Sequence, residues 1–169
     1  MRNSNRSAKM VAVTAVVAAI YVVFTVFLPI PTYGPVQFRV SELLNLLVFF
    51  NPVFAPGILL GCLIANMFSE LNVLMDMVFG TLASALALFC IRRTKNLYVA
   101  AIWPIVFNAY IIGIILMLSL IEPPYTLMSF LPFAGSVGAG QTAVMVMGCV
   151  MFTILQKKNP KFIQMIRNV

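Results

Sequence analysis

The chain of 169 residues is 62% apolar and 9% charged, against about 45–50% and about 25% in a soluble domain, so it cannot cover itself with polar groups in water. At about 20 residues per membrane-spanning helix its length allows at most about six or seven spans, which leaves no room for a soluble catalytic module, a nucleotide-binding domain or a large ectodomain. The net charge of +7 does not indicate nucleic acid, because the bases gather at the termini and in one short loop, as on cytoplasmic flanks of membrane proteins.

Apolar runs between helix breakers predict an all-α integral membrane protein, a single domain over 1–169 with six spans at approximately 8–28, 39–50, 55–70, 73–91, 97–120 and 128–155. Met1 to Lys9 resembles a charged signal n-region, but the apolar run after it has no small-residue cleavage site and is read as a retained span. On this first helix Ala8, Ala12, Ala15 and Ala19 recur at spacings of four, three and four, a smooth face that permits close backbone approach. The face suits either internal packing or docking of another subunit. Leu28-Pro29-Ile30-Pro31-Thr32-Tyr33-Gly34-Pro35 ends the helix.

The second segment, about 12 residues or roughly 18 Å of helix, falls short of a roughly 30 Å hydrocarbon core. The proline-rich loop before it is therefore expected to fold into the bundle. Asn51-Pro52 separates it from the third segment, where Gly57, Gly61 and Ala65 form a second small-residue stripe for packing within the bundle. Arg92-Arg93-Thr94-Lys95 divides the fourth from the fifth, and Glu122-Pro123-Pro124-Tyr125 the fifth from the sixth. Trp103-Pro104 suggests a kink and an interfacial anchor in the fifth.

With both termini cytoplasmic, ten of the eleven bases lie inside, and all four acids (Glu42, Glu70, Asp76, Glu122) lie in the outer half. Arg39 alone breaks the pattern, at the outer end of the short helix. Arg39, Glu42 and Asn45 are spaced three apart and share a helix face, as an interfacial ion pair or as the polar wall of a ligand pocket. Asp76, a few residues inside a span, is costly unless paired or wet. It is read as a ligand or ion contact, or as a structural cap or partner of Arg39. Glu70 and Glu122 sit by turns and are expected to be solvated.

Asn66, Asn108 and Gln141 are expected near mid-depth of the third, fifth and sixth helices, with Asn45 on the second. Singly, each could be an interhelical hydrogen bond. Together, below a cluster of acids, amides that donate and accept at once suit the edge of a heterocycle in one outward-opening cavity. The sequence has no histidine, and Cys62, Cys90 and Cys149 lie far apart in apolar runs, so neither a metal site nor a disulfide framework is expected. No activated nucleophile is legible, and the chain is not read as an enzyme.

The blocks Phe38-Arg39-Val40-Ser41-Glu42, Gly61-Cys62-Leu63-Ile64-Ala65-Asn66 and Asp76 through Gly80-Thr81-Leu82-Ala83 resemble, in that order, the QueT family of queuosine-precursor transporters. These are substrate-binding S components of energy-coupling factor (ECF) importers. The resemblance implies a six-helix S-component-like bundle in a bacterial plasma membrane with both termini cytoplasmic, an outward-opening pocket and a first loop that helps to close it. It implies that Ala8, Ala12, Ala15 and Ala19 dock onto a transmembrane scaffold subunit carrying two cytoplasmic ATPases. The chain has no Walker motif, so ATP is used by those partners and no cofactor is expected here. The implied ligand is a cyano- or aminomethyl-deazaguanine, queuine or queuosine. Asp76 or Glu42 would suit the guanine edge, Arg39, Asn66 or Asn108 the base carbonyl, and Phe38, Tyr33 or Phe107 the ring face. The competing reading is an autonomous proton-coupled secondary transporter of a small heterocycle.

Overall fold

A computed structural model describes residues 2–28, 30–34 and 36–169, with side chains from Ser7 onward. Pro29 and Pro35, read as helix breakers, and the side chains of Arg2 and Arg6 lie outside the described residues.

The described residues form helices joined by turns, with no strand among them. They are α1 (Arg2–Val26), α2 (Val40–Phe50), α3 (Pro52–Asn66), α4 (Val73–Ile91), α5 (Leu97–Leu120) and α6 (Leu127–Lys158), then a short α7 (Pro160–Arg167). Four stretches are long and apolar enough to cross a membrane: Ser7–Val26 in α1, and α4, α5 and α6, while α2 and α3 are shorter apolar helices. Length and composition of this kind place the chain in a membrane.

Three of the helices are irregular where they approach one another. Val40–Leu46 of α2 is wound as a 3₁₀ helix before a single α turn at Leu47–Phe50. Asn51, extended ahead of Pro52 as such residues usually are, caps α3 by accepting from the Val53 amide at 3.0 Å. α3 stops at Asn66, short of the expected residue 70, because the chain turns there through main-chain bonds from Met67 to Ile64 and from Phe68 to Ala65. α4 opens on the Asn72 cap and runs through a π-helical turn at Asp76–Gly80, a form often found at functional positions.

α1 and α3 run side by side in the same sense, with Gly57 against Thr14 and Val17, and Gly61 against Ala18 and Tyr21. A methyl at Gly61 would stand 2.7 Å from Tyr21 Cβ and 2.9 Å from the Ala18 carbonyl oxygen. The glycine stripe thus packs inside the chain. α5 and α6 are antiparallel, with Gly113 on the Ala134 backbone and Gly138 near Ala109. Trp103, read as an anchor, donates its indole N–H to Thr94 Oγ1 at 3.0 Å in the basic loop. Tyr21, Leu46, Ile58, Cys62, Ile91, Ala100 and Met145 form the centre of the core.

The sixth span expected from the sequence ends at residue 155, and α7 lies beyond it. Asn159 caps this helix with Pro160 in its first turn. Ile163 and Ile166 bury against the bundle, and Asn51 Nδ2 donates to the carbonyls of Ile166 and Arg167, each at 3.2 Å. α7 therefore seals the joint between α2 and α3.

Candidate functional site

The α1–α2 loop folds inward, as the shortness of α2 leads one to expect. Gly34 turns it with φ of 92°, in the left-handed region that glycine enters freely. Tyr33 donates its hydroxyl to the Ala65 carbonyl of α3 at 2.5 Å. Burial raises this hydroxyl above its ordinary pKa, so it stays a neutral donor. The Gln37 carbonyl rests directly on Gly140 of α6, where an added Cβ would lie 1.8 Å away. Two residues beyond the second anchor the loop delivers Arg39 into the interior. Arg39 is only 8% exposed, its guanidinium is 5.4 Å from the centre of the Tyr33 ring, and its Nε–H has no hydrogen-bond partner among the described residues.

Glu42 sits at the heart of the bundle. It accepts from the Tyr21 hydroxyl on Oε1 at 2.7 Å and from Asn45 Nδ2 on Oε2 at 2.5 Å. Of the two alternatives for Arg39 and Glu42, the ion pair is not formed: Glu42 takes its bonds from α1 and from α2 itself. Above it, Thr25 Oγ1 donates to the Tyr21 carbonyl at 2.8 Å, and Ser41 Oγ lies 2.6 Å from that same Thr25 oxygen. Tyr21 and Thr25 are not among the candidates that the sequence marks, and Ser41 stands there only within the block Phe38–Glu42. The available signal was the i, i+4 spacing of Tyr21 and Thr25, polar groups at neighbouring turns of an otherwise apolar helix.

Asn66 and Asp76 meet at the π turn. Asn66 ends α3 instead of lying at mid-helix, and its Nδ2 donates to the main-chain carbonyl of Asp76 at 2.8 Å. Gly80 makes room for that amide: a Cβ there would stand 2.9 Å from Asn66 Nδ2. The Asp76 carboxylate, half-buried, accepts from the Ser69 hydroxyl through Oδ2.

Arg39, Asn108 and Gln141 come together with Gln37, Ile112 and Val137 around a cavity of about 10 Å³, space for about one water. Asn108 and Gln141 are buried on α5 and α6. Gln141 Nε2, Asn45 Oδ1 and Asn66 Oδ1 share with Arg39 Nε the condition of being buried without a partner. Buried polar atoms are nearly always satisfied, so these four atoms, on α2, α3, α6 and the first loop, stand out, as do Thr81 Oγ1 and Ser119 Oγ. A larger hollow of about 470 Å³ is lined by Val26, Pro31, Thr32, Tyr33, Phe68 and Glu70 among others.

Other candidates lie apart from this cluster. Phe38 is 38% exposed and lines neither hollow. Phe107 stacks on Trp103 at 6.2 Å. Glu122 is exposed in its turn. Ala8, Ala12, Ala15 and Ala19 are all exposed, while Val17, Ala18 and Tyr21 supply the buried side of α1. Among the described residues the alanine face is thus not used for packing. Among the described residues no three of His, Cys, Asp and Glu gather as metal ligands.

A family model described as QueT transporter matches residues 11–157. The queuosine precursor transporter QueT of Lactococcus lactis subsp. cremoris (strain MG1363) is 43% identical over 72 residues, a stretch that covers 41% of this chain and 41% of that relative. No solved structure matches significantly.

Proposed function

The chain belongs to the QueT transporter family, and from that membership we propose that it is the substrate-binding S component of an ECF-type importer, taking up a queuosine precursor. The ligand is a cyano- or aminomethyl-deazaguanine, queuine or queuosine, which its relative's name also suggests. Six helices, α1 to α6, form the membrane domain, with both termini and the Arg92–Lys95 loop cytoplasmic by the positive-inside rule. The protein performs no chemistry itself; a scaffold subunit and two ATPases supply the energy.

The observation that carries this reading is the set of buried, partnerless polar atoms on Arg39, Asn45, Asn66 and Gln141. An unmet buried donor or acceptor costs about 1–3 kcal/mol, and a flat heterocycle with donors and acceptors around its edge removes several such costs at once. Arg39, Glu42, Asn45, Asn66, Asp76, Asn108 and Gln141 make up the binding region, and Phe38 belongs to the loop that closes it. The ligand enters from the hollow lined by Tyr33 and Glu70. Loop 27–39 must shift to admit it, since the cavity as it stands holds about one water. The exposed alanine face of α1 docks onto the scaffold.

Uptake of a labelled aminomethyl-deazaguanine into vesicles tests the assignment. The S-component reading predicts no accumulation by this chain alone and ATP-dependent accumulation once the scaffold and ATPases are added. Accumulation by the chain alone that collapses with a protonophore makes it a secondary transporter instead.

A further inference from the structure

Glu42, like Asp76, is a carboxylate of the kind that suits the N–H donors of a guanine edge, but its bonding points elsewhere. Both oxygens already hold donors from the chain, Tyr21 Oη at 2.7 Å and Asn45 Nδ2 at 2.5 Å, and the side chain is 1% exposed. Each of these oxygens accepts; the carboxyl group thereby sets the orientation of its neighbour. It therefore decides which end of the Asn45 amide faces it: the NH₂ turns to Glu42, and Oδ1 is left on the other side, buried and without a partner. Asn66 repeats the arrangement, with Nδ2 committed to the Asp76 carbonyl and Oδ1 orphaned.

We propose that Glu42 does not touch the ligand but is a positioning residue that locks the Asn45 amide with its oxygen toward the site. The ligand is then read by two fixed acceptors, Asn45 Oδ1 and Asn66 Oδ1, and by two donors, Arg39 Nε–H and the Gln141 amide. That complement fits a planar ring that presents N–H groups on one part of its edge and acceptors on another, as an aminopyrimidinone does. The selectivity of the site against rings lacking those N–H groups comes from the two asparagines. The inference rests on the deazaguanine reading above for its probe.

A compensating pair of substitutions tests it, with binding of aminomethyl-deazaguanine by the purified full chain as readout. In Glu42→Gln the new amide keeps its oxygen on Tyr21 and offers an NH₂ to Asn45, which must turn its own NH₂ into the site. Affinity is expected to fall by about tenfold or more, equivalent to about 1.4 kcal/mol. Adding Asn45→Asp gives that new NH₂ an acceptor and returns an oxygen to the site, so the double variant is expected to recover to within about threefold of the unsubstituted chain. Asn45→Ala, with Glu42 untouched, is expected to lose about tenfold as well.

A double variant that regains its thermal midpoint yet binds no better than Glu42→Gln overturns the proposal, as does Asn45→Ala binding like the unsubstituted chain. Either result puts the carboxylate itself on the ligand. If the double variant does not fold, Asn45→Ala carries the test alone. Failure of the unsubstituted chain to bind any deazaguanine is seen before the variants are made, and it sinks the substrate reading together with this one.

Discussion

The contact between Gly140 and the first loop offers a direct way to loosen the site without touching a candidate ligand contact. In Gly140→Ala the added methyl would lie 1.8 Å from the Gln37 carbonyl oxygen, where ordinary contact begins at about 3.4 Å. Neither atom sits at the end of a flexible side chain, so the loop backbone must retreat by most of that difference. Overpacking of this kind costs about 1–3 kcal/mol. At about 1.4 kcal/mol per tenfold, the closed state should release ligand roughly fivefold to a hundredfold faster. Displacement of bound aminomethyl-deazaguanine by the cyano form measures that rate, and protease cleavage within 27–39 reports the loop directly. Gly135→Ala is the control on the same helix, since nothing lies within 4 Å of its added Cβ. If Gly140→Ala releases ligand at the control's rate with its loop equally protected, Gln37 does not close the site.

Three further outcomes follow from the packing. Ala12→Trp and Ala15→Trp place a bulky ring on the exposed face of α1; ATP-driven uptake in the assembled transporter should be lost while ligand affinity of the isolated chain stays unchanged, and surviving uptake would remove this face from the docking surface. Gly61→Val drives a side chain into Tyr21 and Ala18 at under 3 Å, so the thermal midpoint in detergent should fall with a loss of about 1–3 kcal/mol; an unchanged midpoint contradicts the α1–α3 packing. Tyr21→Phe strips one buried donor from Glu42 and should cost about 1–3 kcal/mol of stability, read from the same melt.

Much of this arrangement was legible in the sequence, and the misses have local causes. Each apolar run contains a helix because burial of that density leaves no alternative in a membrane. The end of α3 was missed because it depends on Asn66 reaching α4, a tertiary bond that hydropathy does not encode. The π turn at Asp76–Gly80 likewise needs the Asn66 amide and the space left by Gly80. α7 was overlooked although Asn159-Pro160 is a helix-start signal, since its polar surface hides two buried isoleucines spaced three apart. In the site, the three-residue spacing correctly put Glu42 and Asn45 on one face. It suggested Arg39 as a partner for Glu42 where Tyr21, from another helix, takes that place.

This chain alone is expected to bind a queuosine precursor, and an equilibrium titration of the detergent-purified protein is the direct test. The series should include cyano- and aminomethyl-deazaguanine, queuine and queuosine, with guanine, thiamine and riboflavin as controls. Saturable binding of one deazaguanine, at least about tenfold tighter than any control, is the expected result. Binding of a control in preference to every deazaguanine, or of none of the series, contradicts the account.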